Sequence, residues 1–443
     1  MRQRIRSLGS QVDEADPINA MNRQSGTAWR GDLPSRLPRS SGAVRAYPAQ
    51  PLGQAERLES EIVTASDFAR YQDDWDDLVR RALIPNVYMH PAVALAAERQ
   101  AGRPVVVALA WRVSGLGRIL VGAWLLGEFT ERRGFFRVLD TALNRLVFSG
   151  TPVVDAGLVP DVLDKLLDAI ADQPNLPGII VASDLNADER LLPCLREVLA
   201  RRRSRAVVVG RRRRAVLTRG TEAEFPRHPE ASAKQKQSFR RRSRRMAESG
   251  ILPVTLTRGP EIRDALRAFL QIEADGWKGK RECKGWAIRL DPALEPFAAE
   301  MIEGLVRAGC ASIEGLRQGE RWIAFSIWLR SGSRAFGWKM AYDEAFASLG
   351  PGRQLSERVT ATFTSDPALA DFDSCNGSET SFHATIWPER LDLVDIVIDA
   401  RRGGSVPGTL FMIVELAYRR GREWLKAARD TVRASWRRLR SGR

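Results

Sequence analysis

A chain of 443 residues exceeds the size at which one hydrophobic core stops growing, so two folded domains of ordinary size plus tails are expected. Hydrophobic residues at 44% and charged residues at 28% fit a globular protein, and the formal net charge of +15 favours acidic partners: nucleic acid, an anionic membrane surface or a phosphate-bearing cosubstrate. The four cysteines, Cys194, Cys283, Cys310 and Cys375, never form a Cys-x-x-Cys pair, which excludes a zinc ribbon or a disulfide framework and leaves reduced, mostly buried thiols as the expectation.

Met1 to Ser7 carries three arginines but leads into polar residues, so it does not read as a secretory signal. The late apolar stretch Leu410 to Tyr418 is interrupted by Glu415 and falls far short of the ~20 residues a spanning helix needs, so no transmembrane span is expected. The expected location is cytoplasmic, with peripheral contact at the inner face of the membrane.

Residues 1–57 mix Arg, Ser, Pro and Gly without periodicity and cannot bury enough apolar surface to offset ordering entropy, so a disordered tail is expected. From Ala65 the pattern turns helical through Trp75, Leu78 and Val79, breaks at Pro85-Asn86, and resumes as a helix near 92–100. Strands are predicted at Val105–Arg112, Ile119–Gly127, Gly178–Ser183 and Ala206–Val209, with helices at 160–172 and 187–201 between them. This alternation predicts an α/β domain over 58–220.

A second α/β series, 221–400, repeats the theme. A basic helix runs to Ser249, a strand covers Leu252–Leu256, and an amphipathic helix covers Glu261–Trp277. Then follow a helix near 293–308, a strand at Cys310–Gly315, a hairpin of Arg321–Arg330 with Arg334–Tyr342, a Gly-Pro-Gly loop opening a helix at about 352–363, and strands near 371–375 and 392–399. No short internal repeat is visible, so any duplication is at the level of fold.

Trp277-Lys278-Gly279 closing a helix, Gly337 to Glu344 closing a strand, Gly350-Pro351-Gly352 opening the next helix, and the basic Phe239 to Gly250 helix ending in glycine resemble the GNAT-like acetyltransferases found near cellulose-biosynthesis genes. The basic helix also resembles the Fem peptidyltransferases. The resemblance covers roughly 60–400 and is sharpest over about 234–390. It implies two tandem GNAT-like acyltransferase domains of mixed α/β fold, in which two strands splay and the acyl carrier, acetyl-CoA or another acyl-CoA, lies in the gap; in the Fem branch the carrier is aminoacyl-tRNA. That family often shows an aromatic residue, Lys and then Trp after the acidic strand; here Phe382-His383 precede Trp387 at a different spacing.

Acyl transfer from a thioester needs a bound pyrophosphate-containing carrier, a base for the attacking group and donors for the carbonyl oxygen. The loop Ser348 to Arg353, with Gly350, Gly352 and the following Gln354, is expected to cradle the pyrophosphate: glycines admit an anion to backbone N–H groups and the helix presents its positive end. Strict alternation along 334–342 puts Phe336, Trp338, Met340 and Tyr342 on one face and Lys339 on the other among small residues, where it can meet a substrate anion or the oxyanion. Asp343, at the carboxyl end of that strand, is the first choice of acid or base. Glu273 competes, because it continues the apolar stripe Ile262, Leu266, Phe269, Leu270, and desolvation there makes a carboxylate a stronger proton acceptor. Trp277, Lys278, Trp338, Tyr342 and Arg241 complete the expected acceptor-binding set.

Arg240–Arg242 with Arg244 and Arg245 crowd one helix, and Arg201–Arg203 and Arg211–Arg214 flank the strand at 206–209; such runs read as solvated basic faces or phosphate contacts. Few aromatics alternate with them, which argues against single-stranded nucleic acid and leaves tRNA or a polyanionic glycan precursor. Three histidines, His90, His228 and His383, show no metal-ligand spacing, so no metal is expected, and no Gly-x-Ser-x-Gly elbow supports a hydrolase.

The expected activity is acyl transfer to an amine or hydroxyl of a small molecule, sugar or cell-envelope or exopolysaccharide precursor. The alternatives are a Fem-like aminoacyl-tRNA-dependent transferase and a non-catalytic module that binds a polyanion or a partner protein. After residue 400, twelve Lys and Arg stand against three Asp and Glu, and Phe411, Tyr418, Leu425, Val432 and Leu439 recur every seven residues, with Val414 and Ala428 in the same stripe. A basic amphipathic helix is therefore expected over 401–443, packed on the second domain or laid on an anionic membrane through 408–440 with Trp424 and Trp436 at the interface.

Overall fold

The computed structural model describes residues 53, 55–100, 104–188, 190–220, 233–280, 283, 285–377, 381–387 and 389–441. The tail up to residue 57, expected to be disordered, lies almost wholly outside the described residues.

The first half contains β1 (Arg57–Val63), three short helices α1 (Ala65–Phe68), α2 (Gln72–Arg81) and α3 (Pro91–Gln100), and a meander of β2 (Val105–Ser114), β3 (Gly117–Arg132) and β4 (Phe136–Asp140). A two-residue β5 (Val153–Val154), α4 (Val159–Ala171), β6 (Ile179–Asn186), α5 (Leu191–Arg202) and β7 (Ala206–Thr218) complete it. The second half runs α6 (Ala233–Glu248), β8 (Ile251–Leu256), α7 (Glu261–Asp275), α8 (Leu294–Arg307), β9 (Ala311–Gln318), β10 (Arg321–Ser331), β11 (Arg334–Tyr342), α9 (Pro351–Ser365), β12 (Asp371–Asp373), α10 (Phe382–Ile386), β13 (Glu389–Asp399) and α11 (Val406–Ser441). The mixed α/β expectation holds, and the second-half elements fall within a few residues of their predicted bounds. Three strands of the first half escaped prediction: β1, which pairs with β2 at the sheet edge, the short β4, and the two-residue β5 beside β3.

All thirteen strands join one sheet in the order β1-β2-β3-β4-β6-β13-β7-β12-β11-β10-β9-β8, with β5 beside β3. The order is close to palindromic. Each half is an antiparallel meander that ends in one parallel pair, β4 with β6 and β11 with β12. The last strands are exchanged: β13 of the second half pairs with β6 of the first, β7 pairs with β12, and β7 and β13 lie antiparallel along the seam. The sheet is therefore continuous from one half to the other.

The seam corrects the reading of the arginine run. β7 does not stop at Val209 but carries Arg211–Arg214 within it, and the period of two sends Arg211 and Arg213 outward and Arg212 and Arg214 inward. Arg212 pairs with Asp184 and Asp395, and Arg214 Nη2 meets Asp373 Oδ2 at 2.6 Å with both side chains almost sealed from solvent. The same guanidinium donates through Nη1 to the carbonyl of Phe148 at 2.8 Å. These cations are thus internal ion-pair partners, not a solvated face.

Because β13 is exchanged, the chain after it emerges over the first half. α11 is helical as expected, and Phe411 and Met412 pack on Phe136, Val138, Ile179, Val181 and Val207 of the first half together with Val397 of β13, so the helix covers the seam and not the second domain alone. The thiols also depart from expectation: Cys375 alone is buried, Cys283 is exposed, and Cys194 and Cys310 lie between.

Removing one partner of a sealed ion pair strands a buried charge. Arg214→Met should therefore lose about 3–5 kcal/mol in urea denaturation, whereas Arg213→Met, one residue away on the outer face, should stay within about 0.5 kcal/mol.

Candidate active site

β11 and β12 run parallel for three residue pairs only, Arg334–Phe336 against Asp371–Asp373, and then part. The split opens a cleft of about 510 Å³, walled by Gly337–Tyr342 of β11, by Ser374–Gly377 after β12, by the end of α7 and by the start of α9. The equivalent split of the first half is closed by its own chain. Gly150 donates its N–H to the Ser183 carbonyl at 3.0 Å, Trp124 Nε1 donates to the Gly150 carbonyl at 3.0 Å, and a Cβ on Gly150 would fall 2.0 Å from Thr141 Oγ1. The closing segment then serves the second half: Phe148 lines its cleft, and Trp338 Nε1 donates to the Leu146 carbonyl at 3.1 Å.

Strict alternation fails in β11. Ile327 pairs with Lys339 and the next residue, Trp328, with Gly337, so Trp338 is an extra residue in a β-bulge. The bulge sends both Trp338 and Lys339 toward α7, where Trp338 meets Phe269 and Lys339 meets Glu273, while Met340 and Tyr342 turn toward Leu355 of α9. A bulge of this kind re-aims a side chain, and here it brings a lysine to a buried carboxylate.

Glu273 occupies the slot that continues the buried stripe of α7 and is 1% exposed. Its Oε2 accepts the backbone N–H of Ile288 at 2.9 Å. Its Oε1 accepts no hydrogen bond and lies 3.7 Å from Lys278 Nζ and 3.8 Å from Lys339 Nζ. At that distance each attraction is about 4 kcal/mol at an effective dielectric of 20, enough to hold two ammonium groups beside one carboxylate in a water-poor wall. Burial pulls the Lys339 ammonium down to about 8, with Glu273 opposing the shift and Lys278 adding to it. Burial likewise lowers Lys278, whose Nζ donates to the Met340 carbonyl at 2.6 Å.

The Trp-Lys-Gly motif has a steric reason. The chain folds back on the end of α7 so tightly that a Cβ on Gly279 would sit 1.7 Å from the Ala274 carbonyl, and one on Gly285 would sit 2.2 Å from the Trp277 carbonyl. That fold carries Trp286 over Lys339, with Nζ 4.3 Å from the ring centre. Glu344 fastens the same turn by accepting the Trp277 N–H at 2.6 Å and pairing with Lys280 at 3.2 Å.

At the far wall Gly350 adopts φ +66 and Pro351 opens α9, whose N-terminus no side chain caps. A Cβ on Gly352 would meet nothing closer than Met340 Sδ at 3.5 Å, so the loop leaves room before the positive end of α9. Arg353 lines the cleft there, and Arg242 of the basic helix reaches the loop, its Nη1 lying 3.1 Å from where a Gly350 Cβ would stand. Burial, eased by Arg353, pushes Glu357 up to about 8 one turn further along α9.

Nine of the residues expected from sequence therefore meet at one cleft: Glu273, Trp277, Lys278, Trp338, Lys339, Tyr342, Gly350, Gly352 and Arg353. Four do not line it. Asp343, the first-choice acid or base, caps the turn after β11 by accepting the Ala345 N–H at 3.0 Å and pairs with Arg321 at 2.6 Å. Gln354 accepts from Ser243 Oγ at 2.9 Å, Ser348 lies at a separate shallow hollow, and Arg241 is solvent-exposed on α6. Sequence reasoning missed Phe148, which belongs to the other half, and the Ser374–Gly377 wall. Phe382 and His383 also line the cleft; His383 stacks 4.7 Å from Trp387, and burial lowers it to about 4, so it is a neutral ring at pH 7. Cys375 lies on the floor, its thiol pushed well up by burial and by the Asp373 charge, which keeps it from acting as a thiolate. Among the described residues no group of three or more His, Cys, Asp or Glu side chains could hold a metal ion.

Residues 233–380 match the family described as acetyltransferase (GNAT) domain. That span, about a third of the chain, is similar to GNAT acetyltransferase domains. It includes the splayed pair, the bulge and the glycine loop just described. Among curated proteins no sequence matches the chain. Among solved structures, FemX shares the fold at TM-score 0.54 and 9% identity, over 81% of this chain and 100% of that one. L-PGS from Bacillus licheniformis aligns at TM-score 0.44 and 13% identity, over 78% of this chain and 96% of that one. A tandem GNAT protein from the clavulanic acid biosynthesis pathway aligns at 0.35 and 13%, over 77% and 98%.

The depressed Lys339 gives a signed pH effect. With a folded value near 8 and an unfolded value near 10.4, the unfolded chain binds more protons between those limits, so the penalty for burying this ammonium is present below pH 8 and is relieved as pH rises. Stability of the parent relative to Lys339→Met should rise by up to about 3 kcal/mol between pH 8 and 10.4, read by denaturation of both proteins across that range.

Proposed function

We propose that the chain transfers an acyl group, in the first instance acetyl, from acyl-CoA to an amine or hydroxyl of a small-molecule, sugar or cell-envelope precursor. The observation that supports this most is Glu273 Oε1, a buried acceptor without a hydrogen bond, in the wall of a cleft opened by two splayed strands and facing a glycine loop at a helix N-terminus.

The bound thioester supplies an activated acyl carbon and a thiolate leaving group. The chain's own residues supply the remainder. The uncapped start of α9, with Gly350, Gly352 and Arg353, suits the pyrophosphate, since backbone donors, the helix dipole and a guanidinium converge there. Glu273 Oε1 accepts the proton that the attacking N or O gives up as it bonds to the acyl carbon and the carrier thiolate leaves. Lys339, charged below about pH 8 and fixed between Glu273 and Trp286, favours negative charge developing on the acyl oxygen. Phe148, Trp277 and Trp338 exclude water from the wall where the acceptor would stand.

The discriminating experiment is thermal shift with coenzyme A and, separately, with tRNA. Stabilisation by coenzyme A supports acyl-CoA as carrier, about 2.7 kcal/mol at a hundredfold excess over Kd. Stabilisation by tRNA alone replaces it with a Fem-like aminoacyl-tRNA reaction, and salt-sensitive polyanion binding with neither turned over leaves a non-catalytic module. Gly352→Glu should abolish the coenzyme A shift while leaving the melting temperature of the free protein within a few degrees, because space for the side chain is present but its charge opposes an anion.

Glu273→Gln should lower turnover of acetyl-CoA by about 10²–10⁴-fold with little change in coenzyme A affinity, since a base acts in the transition state. Asp343→Asn, whose carboxylate is spent on a turn and an arginine, should keep most activity. Activity lost in Asp343→Asn and kept in Glu273→Gln would move the base to Asp343.

A further inference from the structure

We propose that α11 and the β3–β4 turn together form a docking surface for an anionic phospholipid bilayer. The inference stands apart from the transfer reaction.

α11 is held to the sheet by one face only. Phe411 is fully buried against Phe136, Glu415 pairs with Arg133 and Arg419, and Arg419 reaches Asp395 at 2.7 Å. A second, apolar face points away from the protein. Leu410, Ile413, Ala417, Gly421, Trp424 and Ala428, at steps of three and four, are all exposed, and Leu425 widens the stripe. Trp424 is 70% exposed and Leu425 62%, in contrast to the seven-residue stripe read from sequence, of whose described members Phe411 alone is sealed in the core. The helix backbone continues to Ser441.

The turn between β3 and β4 adds an independent apolar group beside it. Arg133 adopts φ +55, grips Glu415 and lies 3.6 Å from the Tyr418 ring centre, which ties the turn to the helix. Phe135, next in the turn after Gly134, is 70% exposed, and its ring lies 4.5 Å from Phe136, the residue against which Phe411 packs. Exposed aromatic groups on two elements are thus locked to one frame.

Charge selects the partner. Twelve Lys and Arg against three Asp and Glu follow residue 400. Helical spacing places Arg420 at one margin of the apolar stripe and Arg422 and Arg429 at the other, and Lys426 on the side turned from it. An apolar strip flanked by cations along both margins matches a plane of anionic headgroups over acyl chains, each cation near the surface adding about 1 kcal/mol. No helix among the described residues is long and apolar enough to cross a membrane, so the helix lies on the surface.

The test is flotation of the full-length chain with vesicles of phosphatidylglycerol in phosphatidylcholine, and with phosphatidylcholine alone. Binding to the first and not the second, weakened by salt, is the expected result. Trp424→Ser with Leu425→Ser should weaken it by roughly tenfold or more, because two side chains no longer enter the acyl layer, and Phe135→Ser should weaken it less. These positions are exposed, so an unchanged melting temperature confirms that the variants fold. Failure to bind anionic vesicles at low salt overturns the proposal. So does full binding by the double variant, which would leave only attraction of arginines to any polyanion, and so does a dimer in sedimentation that the double variant breaks without altering flotation.

Discussion

The cleft depends on a guanidinium sealed against a carboxylate at the point where the two halves meet. Arg214 on β7 holds Asp373 at the end of β12 and at the same time the Phe148 carbonyl of the first half. Asp373 in turn accepts the Cys375 N–H at 2.9 Å, at a residue with φ +50, and so sets the direction in which the chain leaves β12. Phe148 and the Ser374–Gly377 wall are thereby referred to one ion pair. Such a pair costs much to desolvate, and its use here is positional: it fixes where the splay begins.

Given that anchor, the bulge in β11 sets the chemistry. Without the extra residue at Trp338, Lys339 would point to the α9 side, away from Glu273. With it, two ammonium groups and one carboxylate share a dry wall, and the tight return through Gly279 and Gly285 lays Trp286 over them. The low dielectric that pulls Lys339 down to about 8 is the same condition under which a carboxylate oxygen without a hydrogen bond and a nearby cation act most strongly on a passing proton and a developing charge.

The fold spends its positive charge in two ways. Arg202, Arg212, Arg214, Arg334 and Arg419 are taken up by carboxylates of neighbouring strands and helices, Arg212, Arg214 and Arg419 at the seam and Arg202 and Arg334 within one half each. Arg240, Arg241, Arg244 and Arg245 of α6 and Arg420, Arg422 and Arg429 of α11 are exposed at the surface. A net charge of +15 counts both classes alike, although only the second can meet a partner.

The sequence by itself determined the alternation of elements, the α7 stripe that ends in Glu273, and the glycine loop before α9, because periodicity and backbone freedom are local properties. It also carried the Trp277-Lys278-Gly279 motif, although not the steric reason for it. Only the tertiary structure decided that β7 and β13 change places, that Arg214 faces Asp373 and not water, and that Phe148 closes the cleft of the other half. The contacts of Arg214 with Phe148 and with Asp373 join residues 66 and 159 positions apart, which no local pattern encodes. It also decided between the carboxylates. Asp343 and Glu273 are both acids at the end of an element, and what separates them is that one is taken up by a turn and an arginine while the other keeps an oxygen without a hydrogen bond in a cleft.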